Sequence, residues 1–237
     1  MTIGQWGASS RRSGAAIAVL LVCLILACGT TDSFSAAAEE ESGCNDVEVV
    51  FARGTNEPPG VGEIGQAFVN ALDARLPGRT IDVYGVNYPA SYDFATGVEG
   101  VIDASHRIES IVAQCPNTRI VLGGYSQGAA VAGYTVIGSL PPGFVLPDGV
   151  TGPMPASVAP HVAAVVMFGT PKPWVVNLLA SQAPPMSISA DYTAKMLQLC
   201  APGDPICGDG GLDRAAHRAY LANGMIDQGA DFAAWAV

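Results

Sequence analysis

The sequence predicts an α/β fold, a three-layer α/β/α sandwich in which helices cover both faces of a central five-stranded parallel sheet. Three observations predict it. Short apolar runs rich in β-branched residues alternate along the chain with longer segments whose apolar residues recur at helical spacing. The apolar runs contain few polar residues, which is typical of parallel strands buried on both faces. Proline follows the first three helical segments and ends them.

Each element is predicted from its own pattern. The predicted strands are short and apolar, and they are 46–52, 80–87, 119–124, 161–169 and 194–199. The predicted helices have one apolar stripe or lie between clear stop signals, and they are 64–76, 97–115, 127–140, 214–222 and 227–235. The proline-rich stretches 141–160 and 183–185 are predicted to be long surface connections. This order of elements is typical of the three-layer architecture.

Composition limits the classes of function. The chain has 237 residues, with 11 basic and 21 acidic side chains, a formal net charge of −10, and only 14% charged residues. Binding to nucleic-acid phosphates depends on clustered Lys and Arg. A nucleic-acid partner is therefore excluded, whereas the acidity says nothing positive about a substrate.

The N-terminus has the order of a secretory signal peptide. Arg11 and Arg12 precede an uncharged apolar run over 15–27, which is shorter than the ~20 residues of a spanning helix. Two processing routes stay open, cleavage after Ala38 or lipid attachment at Cys28, where the sequence resembles a bacterial lipoprotein box. Either route predicts a secreted or envelope-associated protein without a transmembrane span. The predicted organisation is 1–38 signal peptide, 39–43 flexible lead-in and 44–237 a single domain.

Cleavage after residue 38 leaves four cysteines in an oxidising compartment, Cys44, Cys115, Cys200 and Cys207. Four cysteines allow three pairings, and the sequence alone does not choose among them. The prolines and glycine between Cys200 and Cys207 favour a small loop closed by this pair. That choice leaves Cys44 for Cys115.

The predicted strand 119–124 runs directly into a G-x-S-x-G motif at 124–128, and a predicted helix follows. Glycine at both ends of the motif removes side chains that would collide with the neighbouring strand and helix. The sharp turn presents the Ser126 hydroxyl as a nucleophile. The backbone N–H of Gln127, at the start of the helix, can stabilise a developing oxyanion.

A serine nucleophile needs a base, and the chain contains 3 histidines. His106 precedes Ser126 on a predicted helix and is expected at the surface. His161 opens a predicted strand and therefore lies at the amino end of the sheet, whereas the chemistry of parallel sheets lies beyond the carboxyl ends of the strands. His217 remains as the base. Its position fits the chain order of nucleophile, acid and histidine that accompanies this motif.

The acid is expected between Ser126 and His217. Asp204 follows the last predicted strand and lies between the two C-terminal cysteines, where a closed loop would hold the carboxylate against the histidine. Asp209 and Asp213 are the rival acids, and both are expected to be solvated. The sequence therefore predicts Asp204 as the acid.

Several segments, together with His217, resemble the cutinases, which are small extracellular α/β-hydrolases. These segments are FARGT at 51–55, GGYSQGA at 123–129, VMFG at 166–169 and CAPGDPIC at 200–207. The GTPKPW sequence at 169–174 makes the chain similar to the cutinase-like proteins of mycobacteria and related actinobacteria. The resemblance runs from about Cys44 to the C-terminus.

The resemblance implies that Ser126, Asp204 and His217 form a catalytic triad, and it implies the same two disulfides. It also implies that Thr55 supplies the second oxyanion donor through its backbone N–H and hydroxyl, at a position where fungal cutinases usually carry serine. The segment 211–214 is charged where fungal cutinases are aliphatic. This departure argues against a bulky waxy polymer more than against ester chemistry.

We therefore expect a secreted serine carboxylesterase that hydrolyses short-to-medium acyl esters through an acyl-enzyme intermediate. A lipase or phospholipase and a polysaccharide acetylesterase are the alternatives on the same fold. A non-catalytic surface protein is the alternative from another class, but no member of the triad is missing from the sequence. The expected protein is a monomer that uses no cofactor and no metal.

Overall fold

The central sheet has five strands, all parallel. The computed structural model describes residues 43–237. The strands are β1 (Val47–Ala52), β2 (Ile81–Gly85), β3 (Arg119–Tyr125), β4 (Val162–Phe168) and β5 (Met196–Leu199), and they lie in the order β2-β1-β3-β4-β5. Residue Val47 of β1 lies opposite Ile81 of β2 and Arg119 of β3. The predicted five-stranded parallel sheet is confirmed.

Helices connect the strands. Within residues 43–237 the α-helices are α1 (Gly62–Asp73), α2 (Gly97–Gln114), α3 (Gln127–Thr135), α4 (Pro173–Leu179), α5 (Ala190–Thr193) and α6 (Met225–Ala236). Short 3-10 turns cover Phe94–Thr96, Ala156–His161 and Ala216–Leu221.

Strand β1 divides its side chains between two cores. Val49 and Phe51 face the layer formed by α1 and α6, where Phe51 packs against Phe68. Val50 and Ala52 face the opposite layer, formed by α2 and α3. All four strand residues are fully buried. Because both faces of the strand are covered, its sequence is apolar at every position except Glu48, and the predicted three-layer sandwich is confirmed.

Some elements differ from those predicted. The helix predicted over 127–140 ends at Thr135, because the chain beyond it forms an antiparallel bridge between Ile137 and Ile188. The helix predicted over 214–222 is a 3-10 turn. Helices α4 and α5 were not predicted, since they are short and lie among prolines and glycines.

Several sequence predictions lie outside the described residues. They are the signal peptide over 1–38, its cleavage after Ala38, lipid attachment at Cys28 and most of the lead-in over 39–43. Between residues 43 and 237, the structure contains no helix with the length and apolar character needed to cross a bilayer.

Candidate active site

The predicted site residues follow the carboxyl ends of three strands. Thr55 follows β1, Ser126 follows β3 and Asp204 follows β5. His217 lies on the 3-10 turn before α6. Because parallel strands end at the same edge of a sheet, these segments meet there.

Ser126 lies on a sharp turn between β3 and α3. Its backbone φ of 55° and ψ of −117° are strained for a residue with a side chain. A Cβ added at Gly124 would lie 2.1 Å from the carbonyl oxygen of Gly128, and one added at Gly128 would lie 2.0 Å from that of Ala52. The two glycines therefore allow the turn to pack against α3 and β1, as the motif predicts.

His217 lies between Ser126 and Asp204. Its Nε2 is 2.8 Å from Ser126 Oγ, and its Nδ1 is 2.8 Å from Asp204 Oδ2. A carboxylate facing Nδ1 favours the tautomer in which Nδ1 carries the proton and Nε2 accepts one from serine. The structure thus brings together the three residues that the sequence predicts as a triad.

Two neighbours fix the imidazole ring of His217. The ring of Tyr125 stacks on it, with 5.1 Å between centroids and an interplanar angle of 28°. The Tyr125 hydroxyl donates to the carbonyl oxygen of His217, and burial raises the pKa of this tyrosine to about 12. On another side of the ring, a Cβ added at Gly169 would lie 3.0 Å from His217 Cε1. The ring therefore has little room to rotate.

Asp204 is fully buried and accepts three hydrogen bonds. Its Oδ1 accepts from the backbone N–H of Ile206 at 2.8 Å. Its Oδ2 accepts from His217 and, at 2.7 Å, from the hydroxyl of Tyr220. A buried carboxylate is stable only with such partners. Burial raises the pKa of Tyr220, so its hydroxyl stays protonated and remains a donor.

Both disulfides predicted from the sequence are present. Cys200 pairs with Cys207 and closes the loop that contains Asp204. Cys44 pairs with Cys115 and joins the chain before β1 to the end of α2.

The rejected candidates lie away from Ser126. His106 is exposed on α2, and His161 lies before β4, at the amino end of the sheet, with its Nδ1 3.0 Å from the carbonyl oxygen of Pro116. Asp209 and Asp213 are exposed, and Asp209 forms an ion pair with Lys172. Among the contacts of residues 43–237, no hydrogen bond joins these four side chains to Ser126 or His217.

Thr55 and Gln127 lie side by side. The Thr55 hydroxyl donates to Gln127 Oε1 at 3.2 Å, and Gln127 Nε2 donates to the carbonyl oxygen of Ser91 at 3.1 Å. The first N–H groups of α3 have no acceptor within the helix. The N–H of Gln127 belongs to this turn and can donate to an oxyanion formed at Ser126.

A buried arginine and a carboxylate hold the loop that carries Thr55. The guanidinium of Arg53 donates to the carbonyl oxygens of Glu57, Val86 and Tyr88 at 2.9, 3.2 and 2.6 Å. The Glu57 carboxylate accepts from the backbone N–H of Gly54 at 2.5 Å. The bonds to Val86 and Tyr88 tie the loop to the segment after β2. Sequence reasoning missed this role of Arg53 and Glu57, because only their charge is visible in the sequence.

One cluster in residues 43–237 has the spacing of a metal site, and it consists of Cys200, Asp204 and Cys207. Its two sulfurs are joined in a disulfide, and both Asp204 oxygens accept hydrogen bonds. Thiolates, not disulfides, bind metals. The cluster is therefore not suited to hold an ion.

Known proteins resemble this chain in sequence and in fold. The family model described as cutinase matches residues 43–237. The chain belongs to the cutinase family. It is 47% identical to carboxylesterase Culp1 of Mycobacterium tuberculosis over 192 residues, which cover 81% of each chain. It is 40% identical over 231 residues to phospholipase Culp4 of the same species, covering 98% of this chain and 95% of that one.

A solved structure of a cutinase has the same fold. The Trichoderma reesei cutinase, in complex with a phosphonate inhibitor, matches with a TM-score of 0.58 and 35% identity, over 80% of this chain and 75% of that one. The resemblance to the cutinases stated from the sequence is confirmed, as is the prediction of a carboxylic-ester hydrolase with an α/β-hydrolase fold.

Sequence reasoning missed Tyr220. This cutinase-family member carries it three residues after His217, on the same 3-10 turn. Residues three apart share a face of such a turn. That spacing could have indicated that Tyr220 and His217 both reach the carboxylate of Asp204.

Proposed function

We propose that this protein is a serine esterase in which Ser126 attacks the ester carbonyl and His217 accepts the Ser126 proton. The observation that carries the proposal is the continuous chain of 2.8 Å contacts from Ser126 Oγ through the two ring nitrogens of His217 to Asp204. Asp204 holds the Nδ1–H tautomer and stabilises the imidazolium that forms.

The negative charge that develops on the carbonyl oxygen needs donors at the site. The backbone N–H of Gln127 is one donor, at the N-terminus of α3. The backbone N–H of Thr55 is the other donor, since the Thr55 hydroxyl donates to Gln127 Oε1. Arg53 and Glu57 hold the loop of Thr55 next to Gln127. Preorganised donors of this kind stabilise the transition state because they do not have to reorient during the reaction.

The reaction then proceeds through an acyl-enzyme. His217 gives its proton to the leaving alcohol as the ester C–O bond breaks, and the acyl group stays on Ser126 Oγ. A water molecule, deprotonated by the same Nε2, attacks the acyl carbonyl and releases the acid. Ser126 and neutral His217 are restored, and no cofactor takes part.

Hydrolysis of p-nitrophenyl butyrate by the mature protein tests this proposal. Ser126→Ala should lower kcat/KM by at least about 10⁴-fold, and Asp204→Asn by roughly 10³- to 10⁴-fold. A fluorophosphonate should label the wild type at Ser126 and leave Ser126→Ala unlabelled. Full activity of Ser126→Ala would refute the proposal.

The exposed aspartates provide matched controls. Asp209→Asn and Asp213→Asn change the charge in the same way as Asp204→Asn, within nine residues of it. Since neither carboxylate contacts His217, both variants should keep nearly full activity. Loss of activity in either variant, with Asp204→Asn active, would assign the acid to another residue.

A lipid ester is the second candidate substrate, beside the short-to-medium esters expected from the sequence. The observation that favours it is the match to phospholipase Culp4 over 98% of this chain. A radiolabelled phosphatidylcholine assay distinguishes the two, because only a phospholipase releases fatty acid from it.

We also propose that the protein is exported. The basic pair and apolar run near the N-terminus support export, and so do two disulfides, which form in oxidising compartments. Mass spectrometry of the native N-terminus separates the processing routes. Cleavage after Ala38 leaves Glu39 as the first residue, whereas lipoprotein processing leaves a diacylated Cys28.

A further inference from the structure

A cavity of about 510 Å³ opens beside the candidate active site. We call it the apolar cavity and define it by Phe94, Val98, Val131, Leu146, Val176 and Leu179, which are among its lining residues. Its walls are α2, α3, α4 and the segment 137–152. None of the described residues that line it is charged. Its volume lies within the ~300–1,000 Å³ of small-molecule sites.

One end of the apolar cavity touches the catalytic segments. Its lining includes Gln127, the residue after Ser126, and Pro171, two residues after Gly169. Gly169 lies against the His217 ring. Ser126 and His217 themselves do not line the cavity. The cavity therefore begins beside the nucleophile and extends away from it, bounded by α2, α3, α4 and the segment 137–152.

The segment 137–152 supplies one wall through side chains that point inward. Phe144 and Leu146 line the apolar cavity, whereas Val145 between them is 85% exposed. The sequence predicts residues 141–160, which include most of this segment, only as a surface connection. In the structure, the apolar residues of the segment instead enclose the apolar cavity. An unfilled cavity of this kind lowers the stability of the protein, and a ligand bound in it would restore the lost contacts.

We propose that the apolar cavity binds the acyl chain of the substrate, and that this chain has about ten carbons or more. The proposal rests on the proposed serine esterase chemistry. A methylene group needs roughly the ~30 Å³ that a water molecule takes in the liquid, so the cavity holds far more than a butyryl group. The inference extends the acyl length beyond the short-to-medium esters expected from the sequence.

The position of the cavity selects the acyl chain rather than the alcohol. The leaving oxygen has to face His217 Nε2, because that atom protonates it. The carbonyl oxygen has to face Thr55 and Gln127. The acyl chain takes the remaining direction, toward the apolar cavity, whose lining includes Gln127 but not His217.

A chain-length series tests the proposal. The substrates are p-nitrophenyl esters with acyl chains of two to sixteen carbons, held below their micellar concentrations. Burial of each methylene should raise kcat/KM by up to about fourfold until the cavity is filled. A second series fixes the acyl group as acetyl and lengthens the alcohol, and it should show little change.

Two Val→Trp substitutions distinguish an effect of filling the apolar cavity from a general effect of adding a large ring. Val98→Trp places a large ring in the apolar cavity from the start of α2, and Val145→Trp adds the same ring on the exposed side of the segment 137–152. Val98→Trp should keep acetate hydrolysis and lose at least tenfold in kcat/KM for decanoate. Val145→Trp should match the wild type. If Val98→Trp does not fold, Val150→Asp, on the opposite wall, replaces it.

Fatty-acid binding gives a readout that does not depend on turnover. Ser126→Ala protein should bind the fluorescent fatty acid cis-parinaric acid, and adding Val98→Trp should weaken that binding at least tenfold. Binding without hydrolysis of any ester would contradict the proposed function and leave the acyl-chain site standing. Ester hydrolysis whose kcat/KM is highest for an acyl chain clearly shorter than ten carbons, or that depends on the alcohol chain, would overturn the acyl-chain site.

Discussion

The hydroxyl of Tyr220 donates a 2.7 Å hydrogen bond to Asp204 Oδ2, the same oxygen that accepts from His217 Nδ1. The same hydroxyl accepts from the backbone N–H of Ala201 at 3.1 Å. Tyr220 is fully buried. It therefore fixes the Asp204 carboxylate relative to the end of β5. Its hydrogen bond also reduces the negative charge density on the oxygen that faces His217.

Tyr220→Phe should lower kcat/KM for p-nitrophenyl butyrate by about tenfold, because a hydrogen bond to a charged group is worth ~1.5–3 kcal/mol. Without the tyrosine donor, Asp204 Oδ2 holds more negative charge and stabilises protonated His217. The acid limb of the kcat/KM profile should therefore move to higher pH. A positioning role predicts both effects, and a purely structural role predicts the loss of activity alone.

Tyr84→Phe is the matched control for this substitution. The Tyr84 hydroxyl lies 3.0 Å from both carboxylate oxygens of Asp103, far along the chain from the site residues. Removing it should leave the pH profile of activity unchanged. A shift of the acid limb in Tyr84→Phe as large as that in Tyr220→Phe would contradict the positioning role.

Much of the fold could be predicted because the local sequence signals agree with the packing. The run from Val47 to Ala52 is apolar at nearly every position since both of its faces are buried. The glycines at 124 and 128 are required by backbone contacts that lie within the motif or on the adjacent strand. The placement of His217 and Asp204 followed from the rule that functional groups lie beyond the carboxyl ends of parallel strands.

Features that depend on distant contacts could not be predicted. The Thr135 end of α3 depends on a bridge between residues 137 and 188, and no local signal marks it. The inward direction of Phe144 and Leu146 depends on the position of α2 and α3. Tyr220 follows His217 in a sequence that is typical of an ordinary helical turn, so its hydrogen bond to Asp204 is visible only in three dimensions.

The two disulfides should differ in what their removal costs. Chain-entropy reasoning gives about 4 kcal/mol of stability for Cys44–Cys115, with a separation of 71 residues, and about 2–3 kcal/mol for Cys200–Cys207, with a separation of 7. The loss of esterase activity should follow the opposite order and be larger when Cys200–Cys207 is removed, because only this disulfide closes the loop that holds Asp204. Denaturant unfolding and esterase assays of the two double Cys→Ala variants measure both quantities.

The comparison between the two double variants is its own control. The Cys44/Cys115 variant should keep nearly wild-type kcat/KM at temperatures where it is folded. The Cys200/Cys207 variant should lose at least tenfold while it is still folded. Equal losses of activity in both variants would mean that the short disulfide does not position the carboxylate.

Ser126 should lower the stability of the protein. Its positive φ costs ~1–3 kcal/mol for a residue with a Cβ, whereas glycine adopts this conformation freely. Ser126→Gly should therefore be more stable than Ser126→Ala by about 1 kcal/mol, after the ~0.5–1 kcal/mol entropy cost of glycine. Urea unfolding of the two variants measures the difference.

Ser105, inside α2, gives the opposite expectation. Glycine is ~1 kcal/mol less favourable than alanine in a helix interior, so Ser105→Gly should be less stable than Ser105→Ala by about that amount. If Ser126→Gly is also less stable than Ser126→Ala, the turn at Ser126 does not store strain.

Two carboxylates near the start of β1, Glu48 and Asp46, should make the stability of the protein depend on pH in opposite directions. Burial raises the pKa of Glu48 above its ordinary 4.5, although Arg107 opposes the shift, whereas hydrogen bonds from Thr80 lower that of Asp46 below 3.8. The Glu48 contribution is complete below its ordinary pKa and is lost as pH rises through its raised value. The Asp46 contribution is complete above its ordinary pKa and is lost as pH falls through its lowered value.

Urea unfolding of Glu48→Gln and Asp46→Asn between pH 3 and pH 7 tests these signs. The stability of the wild type relative to Glu48→Gln should fall as pH rises from about 4.5, since the buried carboxylate then has to ionise. The stability of the wild type relative to Asp46→Asn should fall as pH drops below about 4, since protonation removes the negative charge that strengthens the hydrogen bonds from Thr80. Slopes of the same sign in both comparisons would show that burial does not control Glu48, and that Arg107 holds its carboxylate as firmly ionised as Thr80 holds that of Asp46.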